Sequence, residues 1–230
     1  LSIRNNILKN VTYAGIDMYN YYNSGATTTS NYITGNLIDN IEQSPYGIGV
    51  LIYNNFYAAV DNNVMTRVRV GVQTGNYYNT NSGSTNSISN NQIAALRRGI
   101  FHNLAYSNAT AFNITGNTIT NPTASATQLG ISLSSLGGTV GANVTGNNIN
   151  GSYAGVDFWN CTSTPAITVT GGAITNCQYG VVASNYDGYA SDASSSAVRI
   201  SGVTVTGSTI AGVHVKDNPL NSNGATIQLT

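Results

Sequence analysis

Four arginines are the most concentrated chemical feature of the sequence. Arg67, Arg69, Arg97 and Arg98 supply half of the 8 lysine and arginine residues in a chain of 230 residues. A guanidinium group forms paired hydrogen bonds with a carboxylate or a sulfate, so these residues are candidates for gripping an anionic sugar. The same pattern also fits an exposed ion-pair ladder, with Glu42 facing Arg69, which would add well under about 1 kcal/mol to stability.

Asp157 and His214 are weak candidates for acid–base catalysis. A carboxylate and an imidazole can pass a proton near neutral pH, and Asp187 lies between them in the sequence. The plainer interpretation is a scattered Asp and His that face solvent. We expect the other histidine, His102, to face inward as a structural residue.

Aromatic residues cluster at the end of a recurring strand and in the loop that follows it. A Tyr-rich and Asn-rich flank can stack on sugar rings, form a protein contact surface, or simply stack on itself within the chain. We lean towards a contact surface. The candidate ligand-binding aromatics are Tyr19, Tyr21, Tyr22, Tyr53, Tyr57, Tyr77, Tyr78, Trp159, Tyr186 and Tyr189.

The overall composition excludes several kinds of partner. Charged residues make up 7% of the chain and the formal net charge is zero, against about 25% charged residues in an ordinary soluble domain. This argues against nucleic-acid binding, and no apolar run approaches the ~18 residues of a membrane-inserted helix. Two histidines and two cysteines (Cys161 and Cys177) offer no metal set, and we expect no cofactor; whether the cysteines pair is left open.

A short turn pattern recurs along the whole chain and must position these residues. An aliphatic residue is followed by a small polar residue, by Asn or Gly at the turn, usually by a further Asn, and soon by another aliphatic residue. The turn residues fall at positions 5, 35, 62, 90, 116, 146, 171 and 202, at intervals of 25 to 31 residues. Gly followed by an aliphatic residue recurs after each turn, at Gly15, Gly47, Gly71, Gly99, Gly130, Gly155, Gly180 and Gly212.

Each repeat thus holds three short strand-like segments and no helical period. A period of about 28 residues with three strands is typical of a parallel β-helix. The aliphatic positions on either side of the turn should face inward, and a further inward column should hold Val11, Ile41, Val68, Leu96 and Cys177. A second turn carries Asn10, Asn40, Asn121 and Asn176, with Gly151 and Gly207 in the same role. The Asn after the first turn should bond its copy in the next coil.

These motifs resemble the right-handed parallel β-helix repeat proteins of the pectate-lyase-like superfamily, including their asparagine ladder at one turn. The resemblance covers nearly the whole chain and implies that the Gly-aliphatic strand lines the groove that holds substrate in the enzymes. It also implies that a groove arginine can serve as a catalytic base. The chain lacks the acid motif of a polygalacturonase and the Tyr-Asp-Pro-His of an alginate epimerase, and many functions share this fold.

The repeat places the acids too far apart for paired-carboxylate chemistry. The outward residues of the Gly-aliphatic strand should be Asp17, Gly49, Gln73, Phe101, Ser132, Asp157, Val182 and His214. Asp17 and Asp157 would then lie five coils apart, or ~24 Å at the spacing of neighbouring strands, whereas glycosidase carboxylates lie within about 5–9.5 Å of each other. Asp157 and His214 would lie two coils apart, or ~9.6 Å.

We therefore expect one all-β domain over residues 1–230, a right-handed parallel β-helix of about eight coils. It would be part of a longer solenoid or a subunit that stacks end to end on identical chains. The expected function is a non-catalytic extracellular or cell-surface scaffold, similar to an adhesin, that contacts glycans or neighbouring subunits. The alternative is a carbohydrate-active lyase or hydrolase that acts on uronic-acid polysaccharide.

Overall fold

The parallel β-helix predicted from the sequence is confirmed. The computed structural model describes residues 1–19, 31–41, 46–53, 58–76, 87–105, 112–121, 128–136, 141–159, 161, 167–184, 197–216 and 226–230. These residues form 23 strands and no helix. The strands pair in parallel from each coil to the next, which makes the chain a β-solenoid.

The strands follow one another in eight coils, after which β23 starts a further turn. They are β1 (Ser2–Arg4), β2 (Ile7–Lys9), β3 (Ala14–Tyr19), β4 (Asn31–Thr34), β5 (Leu37–Ile41), β6 (Ile48–Tyr53), β7 (Ala58–Asp61), β8 (Val64–Asn76), β9 (Ser87–Ser89), β10 (Gln92–Ala105), β11 (Phe112–Thr115), β12 (Thr118–Thr120), β13 (Leu129–Leu136), β14 (Ala142–Thr145), β15 (Asn148–Asn150), β16 (Ala154–Trp159), β17 (Ile167–Thr170), β18 (Ala173–Thr175), β19 (Tyr179–Ser184), β20 (Ala197–Ser201), β21 (Thr204–Thr206), β22 (Ala211–Lys216) and β23 (Thr226–Leu229).

Each coil has a first, a second and a third strand, and like strands stack on one another. The first strands of successive coils form a sheet of nine strands, and the second and third strands together form a sheet of 14. The aliphatic residue before the first turn keeps its place throughout, with Ile3 paired to Ile33 and Ile33 to Val60. From the second coil onward these residues are fully buried or nearly so, and they form one continuous apolar core.

The first turn takes a left-handed backbone in every coil, as its Asn and Gly residues predicted. The turn residues are Asn5, Gly35, Asn62, Asn90, Gly116, Gly146, Gly171 and Gly202, with φ between 53° and 67°. Only Gly and, to a lesser degree, Asn or Asp adopt this conformation without a large steric cost. The backbone of the turn therefore selects these two residue types.

The residue after the turn forms the predicted asparagine ladder. In the middle of the ladder, Asn91 donates from its backbone N–H and from Nδ2 to Oδ1 of Asn117, at 3.0 and 2.9 Å. Its own Oδ1 accepts the same two bonds from Asn63. Asn63, Asn91 and Asn117 are 0% exposed, so each buried amide is satisfied by its neighbours without any charge.

The second turn differs from coil to coil, and Asn121, which was predicted to form it, does not have positive φ. Asn10, Asn40, Asn176, Gly151 and Gly207 have positive φ at this position, as the sequence suggested for a second turn. The third coil has Arg67 there, with φ 51°, whereas in the fourth coil Ala95 pairs with Val68, and the second and third strands merge into the long strands β8 and β10. The expectation of three separate strands per coil was wrong for these two coils, because the pairing of β8 with β10 continues through this position with register shifts.

The interior also contains two buried cysteines and one histidine. Cys161 and Cys177 are buried and are not bonded to each other. His102 is 4% exposed, and its Nδ1 lies 2.7 Å from Oγ1 of Thr74 in the coil before, as expected for a structural histidine. Burial lowers the pKa of His102 to about 4, so the ring is neutral at pH 7. The described part of the chain contains no helix of the length and apolarity needed to cross a membrane.

Candidate functional site

The outer face of the third strands carries several of the predicted site residues. We use this name for the third-strand side chains that point away from the core. One column of the outer face is Asp17, Leu51, Gln73, Phe101, Ser132, Asp157, Val182 and His214, and the column two residues later includes Tyr19, Tyr53, Gly75, Asn103, Ser134 and Trp159.

The prediction for the second coil was wrong by two residues. Leu51, and not Gly49, is paired with Asp17, because Gly47 does not open the strand. Gly47 adopts φ +46° in the preceding turn. Gly49 is the residue that stacks between Gly15 and Gly71. A Cβ added to Gly15 would lie 2.8 Å from the carbonyl oxygen of Gly49, and a Cβ added to Gly49 would lie 2.6 Å from the carbonyl oxygen of Gly71.

The first half of the outer face is apolar and aromatic. Ala14, Ile48, Leu51 and Val70 form a small cluster separate from the main core, against which Tyr53 and Phe101 pack. The rings of Tyr19 and Tyr53 stack with centroids 6.1 Å apart and planes 24° apart. The Tyr53 ring also covers Gly75, where a Cβ would lie 2.9 Å from the ring. For Tyr19 and Tyr53 the structure therefore shows stacking within the chain.

The four arginines do not form one patch. Arg67 lies at the second turn with φ 51°, where it donates from Nε to Oδ1 of Asp39 at 2.9 Å and forms an ion pair with the other carboxylate oxygen. The Arg67 and Thr66 hydrogen bonds lower the pKa of Asp39 to about 2. Glu42, the partner predicted for Arg69, lies outside the described residues.

Arg69, Arg97 and Arg98 lie where the third strands begin. Arg69 and Arg97 were expected to share one position, but a bulge places both Leu96 and Arg97 opposite Arg69. A separate register shift, between Ile93 and Ala95, puts Ala95 rather than Leu96 into the inward column beside Val68. Leu96 is 40% exposed. The extra residue of a bulge cannot be placed from repeat spacing alone.

Arg98 is the arginine that contacts a side chain of the outer face. Its guanidinium carbon lies 4.1 Å from the centroid of the Phe101 ring, a cation–π contact. Burial and the neighbouring Arg97 lower the pKa of Arg98, whereas Asp157 raises it. The Nε atoms of Arg69 and Arg98 are buried, and neither has a hydrogen-bond partner among the described residues.

Asp157 is the most perturbed carboxyl group of the outer face. Burial raises its pKa to about 6, while the Ser132 hydroxyl and the charge of Arg98 act in the opposite direction. Ser132 Oγ donates to Asp157 Oδ2 at 3.3 Å. A carboxyl group that titrates near neutral pH can give or take a proton.

The structure does not bring His214 to Asp157. Val182 separates them, because it pairs with Asp157 on one side and with His214 on the other. The His214 ring instead lies 5.0 Å from the Tyr179 ring, centroid to centroid. The predicted acid–base pair therefore has no direct contact.

Comparison with known protein families gives one match. The profile described as "Protein of unknown function (DUF1565)" matches residues 31–170, more than half of the chain. The chain belongs to the DUF1565 family. Neither a curated protein nor a solved structure gives a significant match. The match agrees with the resemblance to parallel β-helix repeat proteins and names no activity.

Several predicted aromatic residues of this DUF1565 chain have no described placement. Trp159 lies on the outer face and is 39% exposed. Tyr21, Tyr22, Tyr57, Tyr77, Tyr78, Tyr186 and Tyr189 lie outside the described residues.

Four further tyrosines beside the outer face were not among the predicted site residues. Tyr13 and Tyr46 approach with ring centroids 5.4 Å apart. Tyr153 and Tyr179 form an edge-to-face pair at 5.2 Å. Tyr13 and Tyr153 each lie four residues before an aspartate of the outer face, Asp17 and Asp157. This repeated spacing is visible in the sequence and could have identified them.

The arrangement is suited to binding more than to two-carboxylate catalysis. Among the described residues, Asp17 and Asp157 are the acids of the outer face. They lie five coils apart, with four coils between them. No group of three His, Cys, Asp or Glu residues that could hold a metal ion occurs in the described ranges. The outer face of the DUF1565 chain thus presents exposed rings, arginine donors and single carboxylates along one side of the solenoid.

Proposed function

We propose that this DUF1565 chain is a non-catalytic extracellular β-solenoid that binds a glycan along its outer face. The observation that carries the proposal is the position of two exposed aromatic rings, Tyr19 in the first coil and Trp159 in the sixth, in a single column of the stacked strands. Flat rings combined with a few polar groups suit ligands that have both apolar faces and hydroxyl groups.

The polar groups between the rings support the same proposal. Arg69 and Arg98 each have a buried Nε without a partner among the described residues, and ligand oxygens would satisfy these donors. The carboxyl groups of Asp17 and Asp157 accept hydrogen bonds from hydroxyl groups when they are ionised. A polysaccharide offers such groups at regular intervals along an extended chain, as the solenoid does.

The composition supports an extracellular location. Only 7% of the residues are charged, and Asn, Thr, Gly and Tyr take the place of charges. Stacked coils place like residues ~4.8 Å apart, so that repeated charges would repel one another along every column. A surface built from uncharged polar groups suits a scaffold exposed to the medium and to glycans.

One observation favours a carbohydrate-active enzyme as the second candidate. Asp157 has a pKa raised to about 6 and lies in the electrostatic field of Arg98. An acid tuned to this range can act as a general acid or base. A lyase or hydrolase that uses Asp157 or one of the arginines would act on uronic-acid polysaccharide.

A binding and turnover experiment separates the two candidates. The purified chain is tested against a panel of immobilised neutral and uronic-acid polysaccharides, with assays for reducing ends and for unsaturated products. Binding without product supports the scaffold, whereas product formation that Asp157→Ala or Arg69→Ala abolishes supports the enzyme. Failure to bind any polysaccharide, with concentration-dependent self-association, would instead favour contacts with neighbouring subunits.

The chain offers a matched control for the binding site. Trp159→Ala removes an exposed ring from the outer face and should weaken binding about tenfold or more, in line with aromatic anchors in other interfaces. Tyr32→Ala removes a ring that is 43% exposed but lies on the sheet of first strands. Equal losses in the two variants would argue against the outer face as the binding surface.

A further inference from the structure

The outer face carries the same motif twice. Residues 13–19 read Tyr-Ala-Gly-Ile-Asp-Met-Tyr, and residues 153–159 read Tyr-Ala-Gly-Val-Asp-Phe-Trp. The Tyr, Ala, Gly and Asp are identical. The other three positions hold Ile or Val, then Met or Phe, and finally Tyr or Trp. Strand register places Asp17 and Asp157 in one column, in the first and sixth coils.

The duplication is not a consequence of stacking. Ladders of like residues arise between neighbouring coils, whereas these two motifs have four coils between them. The residues that hold the aspartate position elsewhere are Leu51, Gln73, Phe101, Ser132, Val182 and His214. Packing explains the apolar members of the motif, which face the core, but it requires neither Tyr nor Asp on the outside.

The surroundings of the two motifs also match. A tyrosine from the next coil lies against the motif tyrosine in both places, Tyr46 against Tyr13 at 5.4 Å and Tyr179 against Tyr153 at 5.2 Å. Partial burial raises the pKa of Asp17, as burial does for Asp157. Burial and then Asp17 raise the pKa of Tyr13, whereas burial and then Tyr179 raise the pKa of Tyr153, to which Asp157 adds a smaller effect.

Each motif ends in an exposed ring on the same side as its aspartate. Tyr19 is 49% exposed and Trp159 is 39% exposed, two residues after Asp17 and Asp157. An exposed ring can stack on the apolar face of a sugar, and the carboxylate can accept bonds from its hydroxyl groups. A uronate or sulfate would bring a second negative charge beside Asp17, which is unfavourable; beside Asp157 the charge of Arg98 offsets part of this repulsion.

We propose that the first and sixth coils hold two copies of one site for a neutral sugar unit, and that a long glycan chain occupies both. The inference rests on the proposed function and adds its ligand class and valency. The two sites lie ~24 Å apart at the spacing of parallel strands, so that a disaccharide fills one site and only a longer chain bridges both. Bridging raises the apparent affinity by about 10²-fold or more when the chain spans the two sites.

Calorimetric titration of the whole chain tests this inference. The probes are cello-, xylo- and manno-oligosaccharides, each as a disaccharide and as a long oligomer, with oligogalacturonate as the anionic comparison. Wild type should bind two disaccharides per chain, Asp17→Asn and Asp157→Asn should each bind one, and the double variant none. The long oligomer should lose most of its affinity gain in either single variant. Asp61→Asn, at the first turn, is the matched control. It should change neither the number of disaccharides bound per chain nor the affinity gain of the long oligomer.

The outcomes distinguish this inference from the proposed function. One binding site that Asp157→Asn removes and Asp17→Asn leaves intact would overturn the duplication and leave glycan binding in place. Binding of oligogalacturonate without any neutral probe would overturn the neutral-sugar assignment alone. No binding to any probe or polysaccharide would overturn both.

Discussion

The first turn and the outer face of the third strands follow opposite rules along the solenoid. At the first turn every coil uses Asn or Gly with a left-handed backbone, and six coils continue with a ladder asparagine. On the outer face the aspartate column changes from Asp to Leu, Gln, Phe, Ser, Asp, Val and His. The positions that repeat therefore maintain the fold, and the positions that vary are free to carry function.

Asn91→Ala, in the middle of the ladder, should have the largest effect on stability. It removes the acceptor of the buried backbone N–H of Asn63 and the donor to the carbonyl of Val60. An unsatisfied buried group costs about 1–3 kcal/mol, so we expect the free energy of unfolding to fall by about 3–4 kcal/mol in urea titrations.

The exposed end of the same ladder provides the control. Asn6 donates to Asn36, but it is exposed to solvent. Water can replace its bonds, and Asn6→Ala should cost less than about 1 kcal/mol. Equal losses for Asn6→Ala and Asn91→Ala would show that position in the ladder does not matter, contrary to the comparison above.

His102, on the core side of the third strand, should make the fold sensitive to acid. Its pKa is lowered to about 4 by burial, whereas an unfolded histidine titrates near 6.5. Because the unfolded chain takes up the proton first, stability that is complete above pH 6.5 is lost as the pH falls towards 4, by up to about 3 kcal/mol. Urea unfolding at pH 7.5 and pH 4.5 measures this loss.

His102→Leu isolates the contribution of the ring. The neighbouring coil has Leu133 in the same column, so leucine fits the position, although the contact with Thr74 is lost. Between pH 7.5 and pH 4.5, the free energy of unfolding of the variant should fall by about 2–3 kcal/mol less than that of wild type. An identical pH dependence in both proteins would contradict a neutral buried His102.

Asp157, on the outer side, should respond to pH in the opposite sense. Burial raises its pKa to about 6, against about 3.9 in the unfolded chain. The unfolded chain therefore loses its proton first as the pH rises from 4 to 6, and the ionised carboxylate destabilises the folded state above pH 6. After allowance for solvent screening, Asp157→Asn should stabilise the fold by about 1–2 kcal/mol at pH 7.5 and by about zero at pH 3.5.

Asp39 is the matched acid for this test. The hydrogen bonds from Arg67 and Thr66 lower the pKa of Asp39 to about 2, so its contribution is present above about pH 4 and is lost towards pH 2. Asp39→Asn should therefore destabilise the fold at pH 7.5, where Asp157→Asn stabilises it. Destabilisation by both substitutions would mean that Asp157 supports the fold instead of straining it.

The sequence predicted what occurs in every coil and missed what occurs once or twice. The turn residues and the asparagine ladder were placed correctly because eight turn positions reinforce one register. The Gly47 assignment was wrong because Gly47 and Gly49 are both followed by an aliphatic residue, and only strand pairing separates them. Leu96 was misplaced because two register shifts, between Ile93 and Ala95 and between Ala95 and Arg98, interrupt the pairing of its coil with the coil before.

The candidate site was predictable in its members and not in its contacts. Asp157, Trp159 and Arg98 were recognised by residue type, but the contact of Arg98 with Phe101 depends on how one side chain crosses to the next column. The repeat already placed Asp157 and His214 two coils apart with Val182 between them, and strand pairing confirms that separation. The repeat already placed Asp17 and Asp157 in one column, whereas the ring contacts of Tyr13 with Tyr46 and of Tyr153 with Tyr179 became visible only in the structure.

Gly146→Asn should have the smallest effect, and it tests what the first turn selects. Gly146 has φ 64°, and a Cβ built there meets no atom within 4 Å. Asparagine tolerates this backbone, so the melting temperature of Gly146→Asn should show a change of no more than about 0.5 kcal/mol in the free energy of unfolding. Gly146→Val has the same open space but a β-branched side chain that disfavours positive φ, and it should cost at least about 1 kcal/mol. Equal effects of Asn and Val would mean that the turn tolerates any side chain that fits, and that backbone conformation is not what keeps Asn and Gly at this position.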